Sequence, residues 1–467
     1  MDFIIVLGAL CFLMFAAYRG FSVILIAPIA ALGAVLLSQP LEVAPVYSGL
    51  FMERMVVFVK NYFPVFLLGA IFGKVIELSG FSKSIVAAVM GWIGQKRAIP
   101  VIVLVCMMLT YGGVSLFVVV FAVYPFAAEM FRQGNIPKRL IPGTIALGAF
   151  TITMDALPGT PQIQNIIPTE PLGTTAWSAP ILGTLGGSLI IIVGLLYLNH
   201  RRKIAAKNGE GYDSFGQELL NEPTAVDTTH LPNPILALSP LVLVGVTNFI
   251  LTAMIPKWYG AGTHTTVLRE GGAEIAVNMK GVTAIWAVEG ALIVGILFVV
   301  IAAFPAIRKG FAALSQQAVG GAMLASMNTA SEFGFGAVIA ALPGFLLVSG
   351  ALASISDPLI RASITVTSLA GITGSASGGM SIALAAMGDQ LMAATDAAGI
   401  PREVLHRVVS MASGGMDTLP HNGAVITVLA VTGLTHKQSY KDIFVITVLK
   451  TLAVFVVIAL YKTTGLI

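Results

Sequence analysis

The chain has 467 residues, of which 57% are apolar and 10% charged, with a mean hydropathy of +0.91. A soluble domain carries about 25% charge; 26 basic and 22 acidic side chains are too few to solvate a protein of this size, so a polytopic membrane protein is expected. The net charge of +4 is spread thinly and forms no basic stripe, which argues against a nucleic-acid binder, and Cys11 and Cys106 lie in apolar runs rather than in a disulfide framework.

A spanning helix needs about 20 mostly apolar residues. Such runs occupy 2–18, 21–38, 81–95, 99–131, 177–199, 233–254, 281–304, 316–352 and 441–463. More apolar material at 60–78, 140–152, 364–398 and 403–434 is interrupted by Gly, Pro and polar clusters. About ten to twelve spans plus re-entrant pieces are expected. Residues 1–20 read as a retained first helix, because no basic segment precedes it and no small-residue cleavage site precedes Tyr18-Arg19. The stretch 201–232 is the one long polar segment. Its start, Arg201-Arg202-Lys203, follows an apolar helix and places it in the cytoplasm by the positive-inside rule. Residues 233–280 then form a connecting helix and an external loop with Trp258-Tyr259 at its edge.

The chain also repeats itself. Asn135-Ile136-Pro137-Lys138 followed by Met154-Asp155-Ala156-Leu157-Pro158 returns as Gly399-Ile400-Pro401-Arg402 followed by Met416-Asp417-Thr418-Leu419-Pro420, at an offset of about 264 residues. Gly112-Gly113 answers Gly378-Gly379. Counting crossings from a cytoplasmic linker makes 21–200 run outward first and 281–467 inward first. The expected architecture is therefore all-α, two inverted-topology repeats with broken helices and re-entrant hairpins, the design of many secondary transporters.

Irregular backbone at membrane depth is tolerated where it lines a cavity or is buried in protein, so the interruptions are the candidate site. One pair is Thr110 to Ser115 and Thr373 to Gly379, in which Gly112, Gly113, Ser115, Thr373, Ser375, Ser377, Gly378 and Gly379 offer unwound backbone and hydroxyls to a solute. Helix N-termini beside such breaks attract an anion without a Lys or Arg. The other pair is Thr153 to Asn165 and Gly415 to Gly423, contributing Asp155, Thr160, Gln164, Asn165 and Asn422 to binding. A carboxylate inside an apolar run usually marks a pathway or a proton site. Asp417 with His421 four residues on is the expected coupling pair, and Asp155 is expected mainly to shape the site. Glu332, before Gly334-Phe335-Gly336, is the next coupling candidate on an expected hairpin tip; the matching tip in the first half falls near Pro64 to Gly73.

The Gly-Ser-Ala-Ser-Gly-Gly run at 374–379, the Pro-rich break at 155–165, Gly-Phe-Gly at 334–336 and the layout as a whole resemble the gluconate permease (GntP) family of the ion transporter superfamily over nearly the full chain. Met154 to Pro168 is most similar to the D-beta-hydroxybutyrate permease branch. The gluconate branch has Pro-Pro-His-Pro-Gly where this chain has Leu157-Pro158-Gly159-Thr160-Pro161 and no histidine. The resemblance implies a bacterial inner-membrane symporter importing small organic anions with protons, built as a scaffold plus a moving transport domain, often in a homodimer. The function expected is proton symport of a hydroxy- or keto-monocarboxylate such as 3-hydroxybutyrate; the alternatives are a gluconate-type sugar acid or sodium coupling. No phosphate-binding Gly-rich loop, Cys/His metal cluster or nucleophile–base pairing is recognisable, so no ATP use, cofactor, metal or enzymatic activity is expected.

Overall fold

In the computed structural model of the protein, the structure describes residues 2–467 except Gly20, 95–96, Ser115, 214–220, 224–230, 270–271, Lys309 and His421. The expected candidates Ser115 and His421 thus lie outside the described residues. Almost everything described is helix. Inside hydrocarbon each backbone N–H and C=O must find a partner within its own segment, and apolar runs of this length satisfy that as helices.

The first part of the chain forms α1 (Asp2–Tyr18), α2 (Val23–Ser38), α3 (Val43–Val46), α4 (Met52–Leu78), α5 (Phe81–Ile93), α6 (Ala98–Tyr111) and α7 (Leu116–Gln133). Next come α8 (Ile141–Ala149) and three single-turn pieces, α9 (Ile152–Asp155), α10 (Ile163–Ile166) and α11 (Thr169–Leu172), before the long α12 (Pro180–Lys207). After the linker follow α13 (Pro234–Tyr259) and an antiparallel ribbon of β1 (Thr263–Thr266) with β2 (Ile275–Asn278), in which Thr263 pairs with Asn278. The last part contains α14 (Met279–Ala302), α15 (Phe304–Ile307), α16 (Phe311–Ala341), α17 (Phe345–Ala353), α18 (Pro358–Thr373), α19 (Ala376–Ala397), α20 (Arg402–Ser413), α21 (Gly423–Thr432) and α22 (His436–Thr464).

Among the described residues, five helical stretches are long and apolar enough to cross a membrane: Pro40–Leu78, Pro180–Lys207, Pro234–Tyr259, Met279–Ala302 and His436–Thr464. The bent pair α16–α17 makes a sixth if counted as one span. The remaining apolar helices are shorter, because the sequence breaks them. The run 99–131 is split into α6 and α7, and 364–398 into α18 and α19. Both splits place a glycine in the left-handed region, Gly113 at φ +97° and Gly374 at φ +66°, where a side chain would be strained.

Two sequence expectations are corrected. Gly334-Phe335-Gly336 is not a hairpin tip: α16 runs through it, and the chain turns only at Leu342–Gly344. The glycines instead let neighbours approach; a methyl group on Gly334 would press on the Phe51 carbonyl, and one on Gly336 on the Ile382 backbone. Pro64 to Gly73 is likewise the interior of α4. The two helices α4 and α16 pack along each other, with α2 and α19 against α16. A second group pairs α12 with α22, and α13 packs on α14.

The linker is less bland than its composition. Glu210 takes two hydrogen bonds from Arg139, at 2.5 and 2.7 Å, and the Tyr212 amide donates to Asn135 Oδ1 at 3.1 Å. Glu222 holds the buried Lys138 at 2.7 Å and also pairs with Arg132. Asp442 at the start of α22 receives Arg201 at 2.8 Å and Tyr197 at 2.7 Å, tying the end of α12 to it.

Candidate functional site

The broken segments converge on one cavity of about 670 Å³, within the usual range for small-molecule sites. Its wall includes Gly113, Gln164, Thr373, Ser375, Ser377, Asp417, Asn422 and Glu332, all expected from the sequence. Their local chemistry explains why the chain is open there. Ser375 caps α19, accepting from the Gly378 amide at 3.0 Å, and Asn422 caps α21, accepting from the Ala424 and Val425 amides at 2.7 and 3.0 Å. Both helices therefore begin at the cavity, with Ala376, Ser377, Gly423 and Ala424 on its wall. Two N-terminal dipole ends face one space.

The breaks are stitched in pairs by an amide side chain. Asn422 Nδ2 donates to the Gly374 carbonyl at 2.7 Å. Gln162 Nε2 donates to the Thr110 carbonyl at 2.8 Å and to Val114 at 3.3 Å. Gln162, which also lines the cavity, was not singled out in the sequence; only the fold shows that its amide reaches a carbonyl 52 residues away.

Other expected site residues do not reach the cavity wall. Gly112 faces Leu241, and Gly379 abuts the Ala370 backbone, where a Cβ would not fit. Gly378 abuts the Glu332 carboxylate instead. Thr160 donates to the Thr153 carbonyl at 2.6 Å, and Asn165 Nδ2 to the Thr160 and Ala176 carbonyls at 3.0 and 2.9 Å. Asp155 is buried away from the wall, its carboxylate over Gly414. These residues hold the backbone around the cavity.

Sequence reading saw no cation in the breaks, and the structure brings two to them from elsewhere. Lys450 of α22, fully buried, donates to Asp417 Oδ1 at 3.0 Å. Its Cε and the Asp155 carboxylate crowd the same glycine, Gly414. Arg407 of α20 is fully buried too. Its guanidinium donates to the Asp155 carbonyl at 3.0 Å, to Asn165 Oδ1 at 3.0 Å and to the Ser178 carbonyl at 2.8 and 3.2 Å. The neighbouring His406 bonds Thr174 Oγ1 at 2.7 Å and Asn165 Oδ1 at 3.3 Å. Arg407 lies inside α20 (Arg402–Ser413), so the signal that could have found it was a basic residue within the interrupted apolar stretch 403–434.

Asp417 is thus ion-paired with Lys450, while Asp155 lies beside the same lysine across Gly414; Arg407 reaches the Asp155 backbone carbonyl, and the carboxylate's Oδ2 has no hydrogen-bond partner among the described residues. Glu332 has no such company. It is buried on the cavity wall, against Gly378 in the first turn of α19, and among the described residues its carboxylate has no ion-pair or hydrogen-bond partner. Two further buried acceptors on the wall, Gln164 Oε1 and Asn328 Oδ1, are also unpartnered among the described residues. Lys74, which lines the cavity as well, is engaged by Glu77 at 2.9 Å. Among the described residues no group of three or more His, Cys, Asp and Glu side chains is placed to hold a metal ion.

Several membrane-length apolar helices, together with a largely apolar cavity at which broken helices begin and polar groups converge, define a multi-pass membrane transporter. No family model matches the chain. It is 56% identical over 478 aligned positions to the "Uncharacterized transporter YxjC" of Bacillus subtilis (strain 168), with all of both chains covered, and it belongs to that transporter's family. Among solved structures it is similar to the Alcanivorax borkumensis YdaH transporter, whose crystal structure is described as revealing an unusual topology, at 15% identity, 89% coverage of this chain, 88% of that one and a TM-score of 0.46.

Proposed function

We propose that this protein is a proton-coupled importer of a small hydroxy- or keto-monocarboxylate, of the 3-hydroxybutyrate kind, in a bacterial inner membrane. The observation that carries the reading is the pair of helix N-termini, α19 and α21, meeting at one cavity of about 670 Å³. Such ends bind a carboxylate through backbone amides and dipoles, each contributing roughly 0.3–1 kcal/mol and more where partly buried. A solute hydroxyl would donate to Gln164 Oε1 or Asn328 Oδ1, acceptors with no partner of their own among the described residues. That pairing favours a hydroxy acid over a simple fatty acid.

Charge balance supports proton coupling at Glu332. Asp417 is paired with Lys450, and Asp155 lies beside that lysine across Gly414, whereas an ionised Glu332 on the cavity wall, without an ion-pair partner among the described residues, would be an uncompensated charge beside an incoming anion. A proton on Glu332 removes that repulsion, so anion and proton enter together and leave together. Asp417, held by Lys450 and on the cavity wall, links the site to the cluster behind it. The gluconate permease resemblance points the same way. Sodium coupling is the alternative that the same unpartnered oxygens would serve.

Two inverted repeats are supported by the order of elements. Shifted by about 264 residues, α6, α7 and α8 fall on α18, α19 and α20, and α9 on the turn Met416–Thr418 before α21. With 201–232 cytoplasmic, the matched helices run in opposite senses. The test is uptake into proteoliposomes from a panel of hydroxy, keto and sugar acids with pH and sodium gradients imposed separately. Accumulation driven by an inward proton gradient and indifferent to sodium supports the reading. Sodium-driven uptake, or accumulation with neither gradient, overturns it.

A further inference from the structure

A second cavity of about 500 Å³ lies between α6 and α12, and it does not communicate with the solute site through any shared wall residue. Its α12 side is one helical face: Ile192, Leu195 and Leu196, then Asn199 and Arg202. Along that face, over roughly 15 Å of helix axis, the side chains change from apolar to polar and basic. The α6 side supplies Arg97, the residue before the helix, followed by Ala98, Ile99 and Pro100. Ile192 and Leu196 are exposed, as lipid-facing side chains are.

The arginines set this cleft apart from the rest of the same surface. Arg201, next in sequence to Arg202, is committed to Asp442 at 2.8 Å. Among the described residues neither Arg97 nor Arg202 has an ion-pair or hydrogen-bond partner for its guanidinium, and no carboxylate lines the cavity. Two unpaired guanidinium groups stand where an apolar slot meets the polar end of a spanning helix. The first-turn amides of α6 add partial positive charge on the same side. The ligand that matches is an amphiphile: one anionic phosphodiester for the arginines and Asn199, and an acyl chain for Ile99, Leu196 and Ile192.

We infer that this cleft is a binding site for an anionic phospholipid of the surrounding bilayer, with Arg97 and Arg202 as the headgroup ligands. The lipid bridges α6, which leads into the Gly112–Gly113 break, to α12, which packs on α22 and its Lys450. It therefore joins two elements that reach the solute cavity and the charged cluster from outside.

The test uses the full chain extracted from vesicles of phosphatidylcholine mixed with phosphatidylglycerol, with retained lipid read by native mass spectrometry. The parent should retain phosphatidylglycerol in preference. R97Q/R202Q should lose that preference roughly thirty-fold, the equivalent of about 1 kcal/mol per basic residue. Lys203→Gln, at an exposed neighbouring position, should keep it. A thermal midpoint of the double variant in phosphatidylcholine alone that equals the parent's establishes that the fold is intact. Unchanged selectivity in R97Q/R202Q overturns the proposal, as does an equal loss in Lys203→Gln, which would mean diffuse surface charge. Displacement of phosphatidylglycerol by millimolar inorganic phosphate also overturns it, since a lone anion would then suffice.

Discussion

Replacing Lys450 by Met tests the charged cluster most directly. The ammonium lies 3.0 Å from Asp417 Oδ1, with both side chains buried. At that distance and an effective dielectric constant of about 20, the attraction is roughly 5 kcal/mol, largely offset by the cost of dehydrating both ions. Lys450→Met removes the attraction and leaves Asp417 dehydrated, while Asp155 across Gly414 loses the same neighbour. Stranding a buried charge typically costs about 3–5 kcal/mol. The double variant D417N/K450M removes both charges and should recover most of that loss, because exchanging a buried pair for neutral groups of similar volume is often close to neutral. Recovery should be incomplete, since Asp155 loses the Lys450 ammonium across Gly414; adding Asp155→Asn should lower the midpoint again, because it leaves the buried Arg407 as the one charge of the cluster. The assay is a denaturation series in one detergent on parent, K450M, D417N, the double and the triple variant. A K450M midpoint equal to the parent's, or a double variant no better than K450M, would refute the reading that Lys450 compensates these carboxylates.

Glu332→Gln should bind solute and exchange it across the membrane but no longer accumulate it against a gradient, with the pH dependence of uptake flattened; proton-driven accumulation in this variant would remove Glu332 from coupling. Asn422→Ala forfeits the α21 cap, worth about 1 kcal/mol, together with its bond to Gly374, so a lower denaturation midpoint and a roughly tenfold higher apparent KM are expected in the uptake assay. Hydrogen bonds and charge from Arg139 hold the Glu210 carboxyl below its ordinary value. That docking contribution is therefore fully present above the ordinary carboxylate range and is lost as pH falls through the lowered value; limited proteolysis of the linker should accelerate only in acid, and Glu210→Gln should be cut readily at neutral pH. In a Cys11→Ser background, cysteine at Asp213 should react with an impermeant thiol reagent in inverted vesicles and not in intact cells, the reverse result placing the linker outside.

Much of this was written in the sequence. Too little charge and long apolar runs fix a helical membrane protein, because a bilayer leaves few other ways to satisfy the backbone. Breaks in those runs mark the site for the same reason: Thr373 to Ser377, Gln164, Asp417, Asn422 and Glu332 reached the cavity wall as polar or unwound residues at membrane depth. Sequence alone misplaced Gly334-Phe335-Gly336, since glycines that open a turn and glycines that admit a neighbouring backbone look alike until the neighbour is known. It also could not separate residues that line the cavity from those, such as Thr160 and Asn165, whose polar atoms are consumed in holding the breaks. The partners of Asp155 and Asp417 were hidden most completely. Lys450 lies 33 residues from the Asp417 carboxylate it pairs with, and Arg407 lies 252 from Asp155, whose backbone carbonyl it bonds. Each occupies a helix whose own pattern gives no sign of what it faces. Local periodicity records where a chain enters and leaves the hydrocarbon, whereas charge compensation is settled only when distant helices pack and decide which buried ions share a low-dielectric space.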